Sequence, residues 1–263
     1  ALAHDVLVLQ PRPGRASAER EYAGFRVREV GAPAPNVPFV RNYFKNERLY
    51  ARLRPVLRDL IQKASVDVVH AQHVLSAPPA IAAAHDAGRP AVCTVRDYWP
   101  VCYWSDLIHD PASPTLCPGC SPAMMRRCIR PRAGAAWPVA VPLVPYMRAN
   151  LLRKRRSLAE ADRVIAVSST IAADLRARAP EIAASRLVTI PNPVDVEAIR
   201  AAGRIAPRRL DRPYVVYVGK LAPNKGTTRL MTAVDRAELA WPLVVIGDGP
   251  DRPLVERWAR ASD

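Results

Sequence analysis

The chain has 263 residues, 49% of them hydrophobic, enough to fill the core of one large or two modest domains. A net charge of +15 alone would suggest nucleic acid or an anionic surface as partner. However, lysine occurs only at Lys45, Lys63, Lys154, Lys220 and Lys225, and the abundant arginine, alanine and proline read as a composition bias rather than a binding stripe.

No nucleic-acid reader motif or run of stacking aromatics accompanies the charge, so nucleic acid is not expected as a partner. The amino-terminal residues carry no basic-then-apolar segment with a cleavage site, and no secretion signal is expected. The longest apolar stretch, Ala133 to Met147, is short and interrupted by Pro138, Pro142 and Pro145, against a membrane span. Five cysteines without a secretion signal indicate a reducing compartment, hence a cytoplasmic location.

In chain order, Val6 to Leu9 reads as a buried strand, and the proline-rich stretch from Pro11 through Pro38 as irregular. "RLYARLRPVLRDLIQKA" places Leu49, Leu53, Val56, Leu57, Leu60 and Ile61 at three- and four-residue spacing, the pattern of an amphipathic helix with a kink expected at Pro55. "VDVVHA", "SAPPAIAAAHDAG" and "RPAVCTV" then form a βαβ unit with parallel strands, Cys93 lying in its core.

Periodicity is lost from Arg96 to Ala149 and returns as the basic helix "YMRANLLRKRRSLAEAD", strand "RVIAVS", helix "STIAADLRARA" and strand "RLVTI". After the linker-like "GRIAPRRLDRP" come strand "YVVYVG", helix "TTRLMTAVDRAEL", strand "LVVIGDG" and helix "RPLVERWARA". Strands alternating with helices on both sides of a linker predict an α/β fold of two Rossmann-like domains with mainly parallel sheets. The expected division is residues 1–200 with a Cys/Pro-rich insertion at 100–145, a linker at 201–213, and a partial nucleotide-binding domain at 214–263.

"YVGKLAPNKG" marks a strand end running into a helix start, where unpaired N–H groups favour anions. Lys220 and Lys225 flank this turn, Gly219 and Gly226 allow close backbone approach, and Gly247 and Gly249 form a second turn at the next strand end. The order Lys-Gly-Thr is not that of a Walker A loop. From spacing alone, a phosphate clamp and two solvated loop lysines remain equal alternatives.

"VGKLAPNKGTTRLMTAV" followed by "VVIGDGP", with "VDVVHAQH", "CTVRDYWPVC", "ADRVIAVSS" and "VTIPNPVDVEAI" in order upstream, resembles the GT-B-fold retaining glycosyltransferases of the glycosyl transferase group 1, family 4, type. The resemblance covers most of the chain. It implies a nucleotide-diphosphate sugar as donor, its diphosphate held by Lys220 and Lys225, with Gly247 and Gly249 near the nucleotide. Lys220 stands where arginine is usual, keeping the charge without the planar fork. Arg96-Asp97 stands where the family often has His-Asp, so the resemblance supplies no histidine contact there. Asp97 stays a cleft candidate, against the alternative of a turn or cap aspartate.

His70, His73 and Asn192 are further cleft candidates, each with the alternative of an ordinary loop or connection residue. The resemblance further implies an acidic pair downstream and a first strand upstream. The sequence therefore reads as an internal fragment, inactive or nearly so alone. A non-catalytic or degenerate α/β nucleotide-binding module is the competing expectation.

Cys102, Cys117, Cys120 and Cys128 fall within the insertion, and Cys117-Pro-Gly-Cys120 has the two-residue gap of a zinc knuckle. The other gaps fit no standard finger, leaving structural zinc and free thiols as the alternatives. The basic helix near Tyr146 to Ala161 suits either an anionic inner leaflet, in keeping with a lipid-linked or glycan acceptor, or a core position with a solvated basic face.

Overall fold

The computed structural model describes residues 4–37, 40–110, 115–205 and 210–261. The expected insertion and linker therefore fall partly outside the described residues, at 111–114 and 206–209, as do 1–3, 38–39 and 262–263 of the two expected domains.

The amino-terminal stretch departs from expectation. Strand β1 (Leu7–Pro13) is parallel to β3 (Phe25–Ala32), which pairs antiparallel with β2 (Ala18–Tyr22). β1 is half-buried, with Val6 and Val8 exposed, rather than a core strand. The region that reads as irregular is thus a hairpin, turned at Ala23 and Gly24, both with positive φ. Its strands are charged. Glu29, almost fully buried, accepts from Arg20 Nε at 3.0 Å and faces Arg12 Nε at 3.6 Å, so ionic cross-strand pairs stand where apolar alternation would have signalled a strand.

Two short turns of helix, α1 (Val40–Tyr43) and a π-helical turn (Phe44–Arg48), lead into α2 (Leu49–Lys63). Leu49, Leu53, Leu57 and Ile61 form the buried stripe of α2, and the helix continues past exposed Pro55. Proline removes only the bond to the carbonyl of Ala51, which is exposed and open to solvent. Strand β4 (Val69–Ala71), helix α3 (Ala77–Asp86) and strand β5 (Ala91–Val95) make the expected parallel βαβ unit. Cys93 is fully buried in its core, and burial pushes its thiol up to about 12.

The stretch from Arg96 to Ala149 is the second departure. Helix α4 (Pro122–Ala133) starts at Ser121, whose Oγ accepts from the Met124 N–H at 3.2 Å. Single turns and the short α5 (Trp137–Ala140) connect it to α6 (Val144–Glu160). Met125, Ile129, Ala140, Val144, Met147 and Leu151 form a separate small core. The helical spacing of Met125, Cys128 and Ile129 is diluted by arginines and by Pro131, which explains why the periodicity is faint.

Strand β6 (Arg163–Ala166), helix α7 (Ser169–Arg178) and strand β7 (Leu187–Thr189) complete a four-stranded parallel sheet in the order β4-β5-β6-β7. Helix α8 (Val196–Ile205) is exposed throughout and occupies the first part of the expected linker. Beyond it, β8 (Val215–Val218) and β9 (Leu243–Ile246) pair in parallel, with α9 (Thr227–Ala237) and α10 (Arg252–Ala261) each following a strand. Leu221, Met231 and Val255 are the buried contacts of this last unit. The class is α/β with mainly parallel sheets; β2–β3 is the one antiparallel pairing among the described strands.

Candidate active site

Parallel sheets present the carboxyl ends of their strands to ligands, and two such edges carry the candidate residues. At the end of β4, His70 Nε2 lies 2.7 Å from Thr94 Oγ1 of β5, and the Gln72 carboxamide nitrogen rests 3.1 Å from its Nδ1. Arg96, just past β5, donates through Nη2 to Gln72 Oε1 at 2.7 Å. Burial, then the neighbouring guanidinium, hold His70 below the ordinary imidazole value. His73 accepts from the Leu75 N–H at 3.2 Å and is also held low, first by burial; Asp97 opposes this and Lys45 adds to it.

Asp97 takes the turn role directly, its Oδ1 accepting from the Trp99 N–H at 2.9 Å. His70, His73, Arg96 and Asp97 are therefore brought to one sheet edge. Asn192 is not among them: it lies exposed between β7 and α8.

The second edge is the pair of turns after β8 and β9. The Gly219 N–H donates to Ile246 O at 3.0 Å, Leu221 N–H to Asp248 O at 2.9 Å and Asp251 N–H to Leu221 O at 3.0 Å, so the turns continue the strand pairing. A methyl group on Gly247 would overlap the Gly219 carbonyl oxygen, and one on Gly249 (φ +152°) the Leu221 carbonyl. Both glycines thus have a packing reason independent of any ligand. Gly226 has open space around it but sits at φ +79°, the left-handed entry to α9. Thr227 is fully buried, its Oγ1 donating to Ala222 O at 3.0 Å, which fixes the helix start. Lys220 and Lys225 are exposed on either side, without an ion pair among the described residues.

The model of Glycosyltransferase Family 4 matches residues 1–198, three-quarters of the chain. The chain belongs to Glycosyltransferase Family 4. Among solved structures, a lipopolysaccharide outer core galactosyltransferase, WaaB, in its apo form is similar over 89% of this chain and 50% of its own, at 17% identity and a TM-score of 0.44. Anabaena Alr3699/HepE in complex with UDP is similar over 89% of this chain and 57% of its own, at 16% identity and a TM-score of 0.45. The chain spans about half the length of these structures. No curated protein matches it.

The family match ends before β8, so the lysine-flanked turn lies outside it. Within the matched portion of this Family 4 chain, the structure adds residues that the sequence did not single out. Beside the first sheet edge lies a cavity of about 190 Å³ whose walls include Lys45, Asn46, Tyr103, Trp104, Asn150 and Lys154. Asn150 and Lys154 lie in a segment read as helical from sequence, whose basic character suggested an anionic leaflet or a core position with a solvated face, not a cleft.

The basic face of α6 is largely engaged within the protein: Arg148 Nη1 donates to Cys120 O at 2.6 Å, Arg155 Nε to Pro100 O at 3.1 Å, and Arg153 pairs with Glu47. This is the core-helix alternative, with Met147, Asn150, Leu151 and Leu158 buried. Cys102, Cys117, Cys120 and Cys128 gather around one small apolar cavity with Met125 and Trp104. Among the described residues no three His, Cys, Asp or Glu side chains stand where they would hold a metal ion. Burial raises the Cys120 thiol and takes that of Cys128 to about 12.

Proposed function

We propose that this Family 4 chain serves in transferring a sugar from a nucleotide-diphosphate sugar to a glycan or lipid-linked acceptor, in cell-surface glycan or glycolipid synthesis. The observation that carries the reading is the family match over residues 1–198. Two exposed lysines before a helix amino terminus, without an ion pair among the described residues, support the donor assignment.

In this reading residues 1–200 are the acceptor-side unit and 214–263 the donor-side unit. Lys220, Lys225 and the first N–H groups of α9 take the diphosphate, and Gly219, Gly226, Gly247 and Gly249 keep the backbone low beneath it. As the glycosidic bond breaks, negative charge grows on the departing nucleoside diphosphate, and fixed cations stabilise it without a metal. Arg96 and Asp97 face the transferred sugar, and His70 and His73 line the cleft as neutral hydrogen-bonding groups. Asn192 shapes the connection between the units.

Retention of configuration and hexosyl transfer follow the family resemblance. Work at the inner face of a bacterial membrane is supported by exposed Trp137 and Val139 near arginine-rich α4, with Arg130 stacked over Trp137 at 5.8 Å.

Calorimetry with UDP, GDP and ADP, on protein from the complete reading frame, tests the donor assignment. One nucleotide should bind selectively, and Lys220→Ala and Lys225→Ala should each weaken it by about 10-fold or more. Absence of binding by the folded protein would overturn the nucleotide-sugar reading in favour of a degenerate module.

A further inference from the structure

We infer that the cavity beside the first sheet edge binds the phosphoryl group of a phosphorylated sugar, the anionic part of the acceptor. The word "acceptor" rests on the transferase reading above; the anion site itself does not.

The cavity is built by an irregularity. The π-helical turn Phe44–Arg48 between α1 and α2 carries Lys45, Asn46 and Glu47 on successive positions, and such turns are rare and frequently found at functional sites. Helix α6 contributes Asn150 and Lys154 to the lining, and Tyr103 and Trp104 belong to it as well. At about 190 Å³ the space equals about six waters at ~30 Å³ each, enough for a compact polar group.

The polar inventory of the walls is unbalanced. Asn150 is 2% exposed, and its Oδ1 is buried without a hydrogen-bond partner. The indole N–H of Trp104 is likewise buried and unpartnered. Lys45 and Lys154 make no hydrogen bond or ion pair among the described residues; Lys154 sits over the Tyr103 ring at 5.9 Å and feels the charge of Glu47 without pairing with it.

The one nearby carboxylate does not answer this excess. Glu47 Oε1 accepts from Tyr146 Oη at 3.2 Å and lies 3.5 Å from Asn150 Nδ2, and its charge is matched by Arg153. Two ammonium side chains without an ion pair among the described residues therefore line the cavity, and two of its wall residues, Trp104 and Asn150, each keep a buried polar atom without a partner. Buried polar groups without partners are costly, so their retention points to a ligand that completes them. Phosphoryl oxygens accept from the three donors, and a sugar hydroxyl can donate to Asn150 Oδ1.

The position suits an acceptor. Val74, Leu75 and Trp99 line the same cavity, next in sequence or nearly so to His73 and Asp97, and Lys45 acts electrostatically on His73. An anion held here places its sugar by the sheet edge where Arg96 and Gln72 lie.

The test is equilibrium binding of the 1-phosphates of glucose, galactose and mannose, their unphosphorylated parents, and the same sugars joined through phosphate to a long alkyl chain in detergent micelles. At least one phosphorylated compound should bind at least about 10-fold more tightly than its parent sugar. Lys154→Met and Lys45→Met should each reduce that binding by about 10-fold while leaving unchanged, in the same samples, binding of whichever of UDP, GDP and ADP the wild type selects. Binding of the free 1-phosphates supports a soluble acceptor; binding confined to the alkyl-linked compounds supports a lipid-linked one. Equal binding of the parent sugars, no binding by any phosphorylated compound, or full binding by both variants would overturn the inference. Binding of a phosphorylated sugar by wild type that binds none of UDP, GDP and ADP would overturn the donor assignment and leave this site standing.

Discussion

Arg96 and Gln72 are joined by a 2.7 Å hydrogen bond that ties the carboxyl ends of β5 and β4 together beside His70. The guanidinium adds to burial in keeping His70 neutral. Arg96→Met should therefore raise the His70 titration midpoint, yet leave it below the ordinary 6.5 because burial persists. Because the folded-state value is depressed, unfolding takes up a proton below pH 6.5. The His70 contribution to stability is complete above that pH and is lost as pH falls. Proton-resolved NMR titration of wild type and variant reads both values; an unchanged midpoint would mean that Arg96 does not hold its guanidinium against this site.

The paired turns of the last unit make a second prediction. Gly249→Ala places a methyl into the Leu221 carbonyl at a φ that side chains rarely adopt. It should lower the unfolding free energy of the β8–β9 unit by about 2 kcal/mol or more. Denaturant unfolding followed by Trp258 and Trp241 fluorescence measures it. A loss below about 0.5 kcal/mol would mean that the two turns do not meet.

These two sites show what was legible in the sequence. The strand ends at His70, Arg96 and Gly219 follow from hydrophobic runs meeting polar or glycine punctuation, and the parallel order follows from alternating strands and helices. The hairpin of β2 and β3 was hidden because Arg20 and Glu29 carry its cross-strand pairing, so period-two apolarity is weak. Helix α4 was hidden by its arginines, although Ser121-Pro122 is a helix-start signal that was present to be read. The cavity of Lys45, Asn150 and Lys154 was beyond reach for another reason. It joins residues more than 100 positions apart, and nothing local marks Asn150 as buried.

The four insertion cysteines predict a reactivity pattern. Cys102, Cys117 and Cys128 are buried and Cys120 half-buried, and burial raises the thiols of Cys120 and Cys128. A thiol-specific reagent at pH 8 should label them slowly in the folded protein and all five cysteines quickly in denaturant. One chelator-removable zinc per chain, with thiols protected only while it is present, would instead assign the cavity to a structural metal.

Lys154 predicts a balance between stability and binding. Burial lowers its ammonium to about 8 from 10.5, outweighing the attraction of Glu47 and reinforced by Arg153. Tyr103, whose ring lies under it, and Lys45, which lines the same cavity, carry no compensating negative charge at neutral pH. Below pH 8 both folded and unfolded states hold the proton, and the full cost of keeping the cation in the fold applies. Between 8 and 10.5 the folded state has released the proton while the unfolded chain still binds it, so stability rises with pH across that window. The whole shift corresponds to no more than about 3 kcal/mol. Lys154→Met should therefore stabilise the ligand-free protein at pH 7 by about 1–3 kcal/mol and abolish the rise between pH 8 and 10.5. A bound phosphoryl group reverses the balance by favouring the ammonium form, so binding at pH 9 should take up a proton that the variant does not. Chemical unfolding across pH 6–11 and calorimetry in buffers of different ionisation enthalpy measure the two effects. A variant less stable than wild type at pH 7 would show that Lys154 is held by partners rather than kept for a ligand.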